Sequence, residues 1–217
     1  MKKIAVILSG SGVYDGAEIQ EAVLTLLAID QCGASYRCFA PNIEQYHVIN
    51  HLNGAVSENE TRNVLVESAR IARGDIEDLT ECHVDEWDAL IVPGGFGAAK
   101  NLSTFGLKGS DCEVNDQVLA VCKAFAQANK PAGYMCIAPA MLPLIYPKGV
   151  KGTIGNDAAT AESIETMGLT HVVADVESVV IDENNNVITT PAYMLATSVN
   201  DAFKGISRLV KTVIARS

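Results

Sequence analysis

Long apolar stretches are missing from this chain of 217 residues: none approaches the ~18–20 needed to cross a bilayer as a helix, so a helical membrane-spanning role is excluded. Met1-Lys2-Lys3 leads straight into the short run Ile4-Ala5-Val6-Ile7-Leu8, without the length or cleavage site of a signal peptide. Basic residues are also scarce. Sixteen Lys and Arg against 26 Asp and Glu leave a net charge of −10 with no local basic patch, which excludes nucleic acid and anionic membranes as partners. No C-x-x-C pair occurs among Cys32, Cys38, Cys82, Cys112, Cys122 and Cys136, and a chain of this length needs no disulfide staples. Reduced thiols in the cytoplasm are the expectation. Repeats, low-complexity tracts and linkers are absent too, so residues 1–217 are expected to form one domain.

What is present is a strand–helix alternation. Apolar runs predict strands over 4–8, 34–40, 88–92 and 131–135, and helical periods predict helices over 17–31, 60–73 and 115–128. The polar stretch 41–59 reads as irregular and, with the helix after it, as an insertion flanking the sheet. Beyond Pro147 the pattern predicts a strand over 152–155, a helix over 160–167, a hairpin pairing 179–182 with 187–190 across Glu183-Asn184-Asn185-Asn186, and a closing helix over 195–215. This order predicts an α/β fold with buried, mostly parallel strands.

Cys136 is the residue on which chemistry would centre. It sits where the apolar run 131–135 stops and a helical segment is predicted to start at Ile137, the strand-to-helix turn that exposes nucleophiles in α/β folds. Unpaired amides and a helix dipole at that turn would favour the thiolate; the competing reading is an inert core cysteine. Glu18 and Glu21 share one face at the start of the first helix, over the same sheet edge, and either could exchange a proton with the sulfur. Pro93-Gly94-Gly95-Phe96-Gly97 follows the strand over 88–92, and the Gly95 amide paired with that of Ile137 would form an oxyanion hole. A bare turn without ligand is the alternative.

Other motifs exclude more than they assign. Ser9-Gly10-Ser11-Gly12-Val13-Tyr14-Asp15-Gly16 misses the dinucleotide fingerprint, because its last glycine comes one place late and no acidic residue closes the second strand. No cofactor is expected. His47 and His51 are four apart but lie in the irregular stretch without a third ligand, so no metal is expected either. His83 and His171 read as structural.

Four segments together resemble a known family: residues 8–16, residues 93–102, Met135-Cys136-Ile137-Ala138-Pro139, and Thr189-Thr190-Pro191-Ala192-Tyr193-Met194. They are similar to the ElbB (enhancing lycopene biosynthesis protein) family, in the PfpI-like branch of the class I glutamine amidotransferase-like superfamily. The resemblance runs essentially end to end. It implies a flavodoxin-like three-layer sandwich, a homodimer, a connection to isoprenoid biosynthesis, and a glyoxalase that turns glyoxal into glycolate without glutathione, an activity tied to deglycation of aldehyde adducts. By position, Cys136 matches the family's elbow nucleophile, the Gly94-Gly95 turn its oxyanion loop, and Glu21 its helix carboxylate, with Glu18 as the fallback. Two positions depart from the pattern: Asn156 stands where many members of the superfamily carry a histidine, and Ser11 where relatives often have cysteine.

These residues lead to a mechanistic expectation. The Cys136 thiolate adds to an aldehyde of a small dicarbonyl, the Gly95 and Ile137 amides hold the oxyanion, and Glu21 moves the proton that converts the hemithioacetal into a thioester, which water cleaves. The alternative is a redox sensor or regulatory protein that uses an oxidisable low-pKa thiol without turnover. Glutamine amidotransfer would need the histidine that Asn156 replaces.

Overall fold

Side-chain alternation along the first strand organises the molecule. Ile4, Val6 and Leu8 enter one apolar core and Ala5 and Ile7 enter another, so the strand is buried on both faces and must lie inside a sheet covered by helices on each side. In the computed structural model, which describes residues 1–217, seven strands form that sheet: β1 (Lys3–Ile7), β2 (Ser35–Ala40), β3 (Ile76–Asp78), β4 (Ala89–Val92), β5 (Ala132–Met135), β6 (Val180–Asp182) and β7 (Val187–Thr190). Their order is β6-β7-β5-β4-β1-β2-β3. All neighbours run parallel except β6 and β7, which form the expected antiparallel hairpin.

Helices complete three layers. On one face α1 (Ile19–Gln31) and α5 (Val199–Arg216) bury Ala22, Leu26 and Ile29, and Ala202, Ile206, Leu209 and Val213, at the i, i+4, i+7 spacing of a single helical stripe. Gly133 in β5 allows α5 to lie close, since a Cβ there would come within 2.6 Å of the Leu209 side chain. On the other face α3 (Asp116–Gln127) buries Val118, Cys122 and Phe125, and α4 (Ala158–Met167) contributes Ile164. The fold is a three-layer α/β sandwich of the flavodoxin-like kind. No helix is long and apolar enough to cross a membrane.

Several predicted elements differ from the observed ones. The helix α2 (Val64–Ile71) does not flank the sheet as an insertion; it is the crossover between β2 and the edge strand β3, which is three residues long and two-thirds acidic and so carried no apolar signal. The irregular stretch 41–59 contains a two-residue antiparallel pair, Ile49–Asn50 with Ala55–Val56. The strand expected over 152–155 is only Lys151–Gly152, paired with Thr170–His171. The closing helix begins at Val199, because the Ser198 hydroxyl caps it by accepting from the Asp201 N–H at 3.1 Å. After Cys136 there is no long helix: a 3₁₀ turn, Ala138–Met141, passes into the single turn Leu142–Ile145, with Pro139 and Pro143 at their starts.

Strand order reverses at β1, with β2 on one side and β4 on the other. Ligands of open α/β sheets bind at the carboxyl ends of the strands beside such a reversal. The loops after β1, β4, β5 and β7 meet there, carrying residues 8–18, 93–95, 136–137 and 191–194 respectively.

Candidate active site

Cys136 follows β5 directly and has φ 58°, the left-handed region that L side chains seldom occupy. Holding it there costs about 1–3 kcal/mol, and its N–H is tied to the Thr190 carbonyl at 3.1 Å. The side chain is 8% exposed. Gly94 has to be glycine at this point: a Cβ would lie 2.4 Å from Cys136 Cβ and 2.8 Å from Glu21 Oε2. Gly95 has φ 92° and its Cβ would fall 2.3 Å from the Glu18 nitrogen, so the β4 turn and the start of α1 touch backbone to backbone.

Glu21 lies on the inner face of α1 and is completely buried. Its Oε2 accepts the Gly94 N–H at 2.9 Å and its Oε1 accepts the Tyr193 N–H at 3.0 Å, and Oε2 and the Cys136 sulfur lie against the same face of Gly94. Burial raises its pKa from an ordinary value near 4.5 to about 7, against the Tyr193 and Gly94 N–H groups and with the charge of Glu18 adding to the rise. The Cys136 thiol lowers the Glu21 pKa while Glu21 raises that of the thiol, the pattern of an S–H group turned toward a carboxylate. Glu18 caps α1, accepting the Glu21 N–H at 2.6 Å, and its own N–H donates to the Gly94 carbonyl at 3.0 Å. Burial pushes the Glu18 pKa up as well.

The sulfur departs from expectation. Desolvation, then the charge of Glu21, push the Cys136 thiol well above its usual range, although the nearby N–H groups of Gly95 and Ile137 oppose that rise. With only a 3₁₀ turn behind it, no long helix dipole compensates. The expected free thiolate is therefore replaced by a thiol–carboxyl pair that retains a proton at neutral pH. The two amides assigned from sequence to a substrate oxygen lie near enough to the sulfur to favour its anion.

A cavity of about 310 Å³ opens above Cys136. Glu18, Gly95, Ile137 and Tyr193 line it together with apolar side chains, whereas Glu21 lies behind the sulfur and does not. Asn156 is exposed at the approach to α4, and neither it nor Ser11 reaches the cavity. No histidine lines it either. His171 accepts the Ile154 N–H at 3.3 Å; His51 accepts the Tyr14 N–H at 3.1 Å and lies 3.8 Å from Asp15. His47 faces the Lys100 ammonium at 3.4 Å, and no group of three metal-ligating side chains assembles.

Sequence reasoning missed the Tyr193 amide, the Phe96 and Phe105 rings and Thr160, which joins the cavity from α4. The segment containing Tyr193 was visible only as a motif. Its contribution depends on Ala192 adopting φ 45°, which turns the next N–H toward Glu21.

No family model matches the chain. It is 47% identical over 221 residues to the human mitochondrial protein named glutamine amidotransferase-like class 1 domain-containing protein 3, covering 98% of this chain and 82% of that one. It is 46% identical to the rat mitochondrial ES1 protein homolog, covering 98% and 83%. Among solved structures, an isoprenoid biosynthesis protein with an amidotransferase-like domain from Ehrlichia chaffeensis superposes with a TM-score of 0.93 at 37% identity, over 100% of this chain and 99% of the other. A DJ-1 superfamily protein from Salmonella typhimurium shares the fold at a TM-score of 0.62 and 20% identity, over 99% and 91%. The relatives correct one expectation: those just named from human and rat, and a zebrafish ES1 protein at 34% identity, are mitochondrial, against the cytoplasmic placement. Free thiols do not distinguish one reducing compartment from another.

Proposed function

We propose, for a chain that belongs to the glutamine amidotransferase-like class 1 family of the ES1 proteins, a cofactor-independent glyoxalase-type activity on small dicarbonyls. The observation that carries this reading is the Cys136–Glu21 pair beneath an apolar-walled cavity, with two amides near the sulfur and no histidine. A buried carboxyl group at about 7 is half ionised at neutral pH, the condition in which a general base works best. Within the superfamily, the resemblance to ElbB supports glyoxal as a substrate. The name of the Ehrlichia protein supports a family-level connection to isoprenoid biosynthesis, to which no residue here assigns a step.

The steps balance without a redox partner. Ionised Glu21 takes the thiol proton as Sγ bonds to an aldehyde carbon, and the resulting alkoxide receives that proton to give a hemithioacetal. Glu18, the carboxyl group that lines the cavity, removes the hydrogen from the sulfur-bearing carbon as the neighbouring carbonyl oxygen takes up a proton, and the enediol so formed gives up the proton of its sulfur-side hydroxyl while Glu18 returns a proton to the adjacent carbon, which leaves a thioester of the hydroxy acid. Water cleaves the thioester and regenerates the thiol. Glyoxal and water thus become glycolate. This divides between Glu21 and Glu18 the work expected of one carboxyl group, Glu21 by preference.

A redox sensor asks for an accessible, low-pKa thiol. Cys136 is buried and its thiol is pushed up, which counts against sensing, whereas turnover can draw on Glu21 to take the thiol proton as the bond forms. Amidase chemistry lacks its histidine. The test is glycolate formation from glyoxal by the purified protein: Cys136→Ala abolishes it, and a variant as active as the parent refutes the reading.

A further inference from the structure

The cavity is poorly matched to glyoxal itself. At ~30 Å³ per water in the liquid, about 310 Å³ would hold roughly ten waters, whereas glyoxal has only four non-hydrogen atoms, all of them in polar carbonyl groups. Most of the wall is hydrocarbon: Val13, Phe96, Phe105, Ile137 and Met194 face the space. Phe96 is 46% exposed, so part of this cavity-lining residue is open to solvent. Such walls contribute to binding only when an apolar surface is laid against them.

Charge narrows the occupant further. Glu18, Tyr193 and Cys136 are the ionisable residues lining the cavity, and no lysine, arginine or histidine joins them. The nearest cation, Lys100, lies against the Phe96 ring at 5.0 Å from its centroid, but its ammonium is directed to the Tyr14 carbonyl and His47. A carboxylate or phosphate on the substrate would meet Glu18 and no countercharge. The same absence disfavours glutamine, whose free carboxylate would have no partner.

We infer that the site takes an uncharged 2-oxoaldehyde bearing an aryl or branched-alkyl group on its ketone carbon, with the aldehyde over Cys136 and the apolar group between Phe96, Phe105 and Met194. This rests on the glyoxalase-type reading for its chemistry and on the cavity alone for its shape preference.

Two measurements separate those dependences. The first compares phenylglyoxal with glyoxal by the mandelate and glycolate they yield. kcat/KM is at least tenfold higher for phenylglyoxal, and Phe105→Ala and Phe96→Ala lower the phenylglyoxal-to-glyoxal ratio by about tenfold, with the far-ultraviolet circular dichroism checked for each variant. The second needs no turnover: Cys136 alkylation by iodoacetanilide, iodoacetamide and iodoacetate, each divided by its rate with glutathione and read by mass spectrometry. The aryl reagent is at least tenfold faster than iodoacetamide, the anionic reagent is slowest, and the aryl advantage falls in both phenylalanine variants. Aryl preference in alkylation without turnover of either dicarbonyl rejects the glyoxalase-type reading and keeps the cavity assignment. Equal alkylation by the aryl and unsubstituted reagents, or iodoacetate as fast as iodoacetamide, overturns the inference whatever the turnover.

Discussion

Replacing Glu21 by glutamine should change how stability depends on pH. In the folded protein burial raises the Glu21 carboxyl group from about 4.5 to about 7. A folded-state pKa above the unfolded one means that the native state holds the proton more tightly. That contribution is fully present below pH 4.5 and disappears as the pH rises through 7. At ~1.4 kcal/mol for each tenfold difference in proton affinity between the two states, the parent loses about 3 kcal/mol across this window. Glu21→Gln has no proton to lose. It carries instead a fixed penalty of about 1–3 kcal/mol, because one carboxyl oxygen that accepted a backbone N–H becomes an amide nitrogen facing that N–H. The variant is therefore less stable than the parent by about 1–3 kcal/mol at pH 4.5, and equal to it or up to about 2 kcal/mol more stable at pH 8. Urea unfolding at half-unit pH intervals measures this, with the parent-minus-variant difference shrinking by about 3 kcal/mol. A difference flat to within about 0.5 kcal/mol from pH 4.5 to 8 would show that Glu21 is an ordinary carboxylate and would remove the proton-sharing pair.

In the same enzyme kcat/KM for dicarbonyls should rise with pH and level off near 7, as Glu21 ionises to accept the thiol proton; a profile without an inflection between pH 6 and 8 contradicts that role. Glu18→Gln should lower kcat by about a hundredfold while the pH profile of Cys136 alkylation keeps its shape, since the carboxyl group moves a carbon-bound proton; loss of the alkylation inflection instead would reassign it to the sulfur. Gly94→Ala forces a methyl group to 2.4 Å from Cys136 Cβ, so it should destabilise the fold by about 1–3 kcal/mol and slow alkylation of the sulfur at least tenfold, and a neutral thermal melt would show that the turn yields. We further propose a homodimer across α1, whose residues Ile19, Val23 and Leu27 form an apolar stripe at four-residue spacing, each more than 40% exposed; sedimentation should then give a dimer for the parent and a monomer for Val23→Glu, and a monomeric parent rejects it.

Much of the architecture was written locally. The runs that became β1, β2, β4, β5 and β7 are short and lie close to glycine or proline, with β-branched residues in β1, β4 and β7, and the longer helical segments of α1, α3 and α5 stand out against them. Where local signals conflict with tertiary roles, the reading failed. β3 is strand only because β2 offers it an edge, and the segment after Cys136 contains two prolines that stop a helix which its apolar character suggested.

At the candidate site the division is similar. The linear chain was enough to name the atoms that could react: a thiol at the end of an apolar run, two carboxyl groups on one helix turn, and bare glycine amides after a neighbouring strand. Their protonation and their tasks came from folding. Burial, which no linear pattern encodes, lifted Glu21 to about 7, pushed the Cys136 thiol up rather than down, brought both amides near the sulfur, and left Glu18 as the acid facing the cavity. Desolvation depends on everything that surrounds a group, and those surroundings come from strands and loops more than a hundred residues apart in the chain.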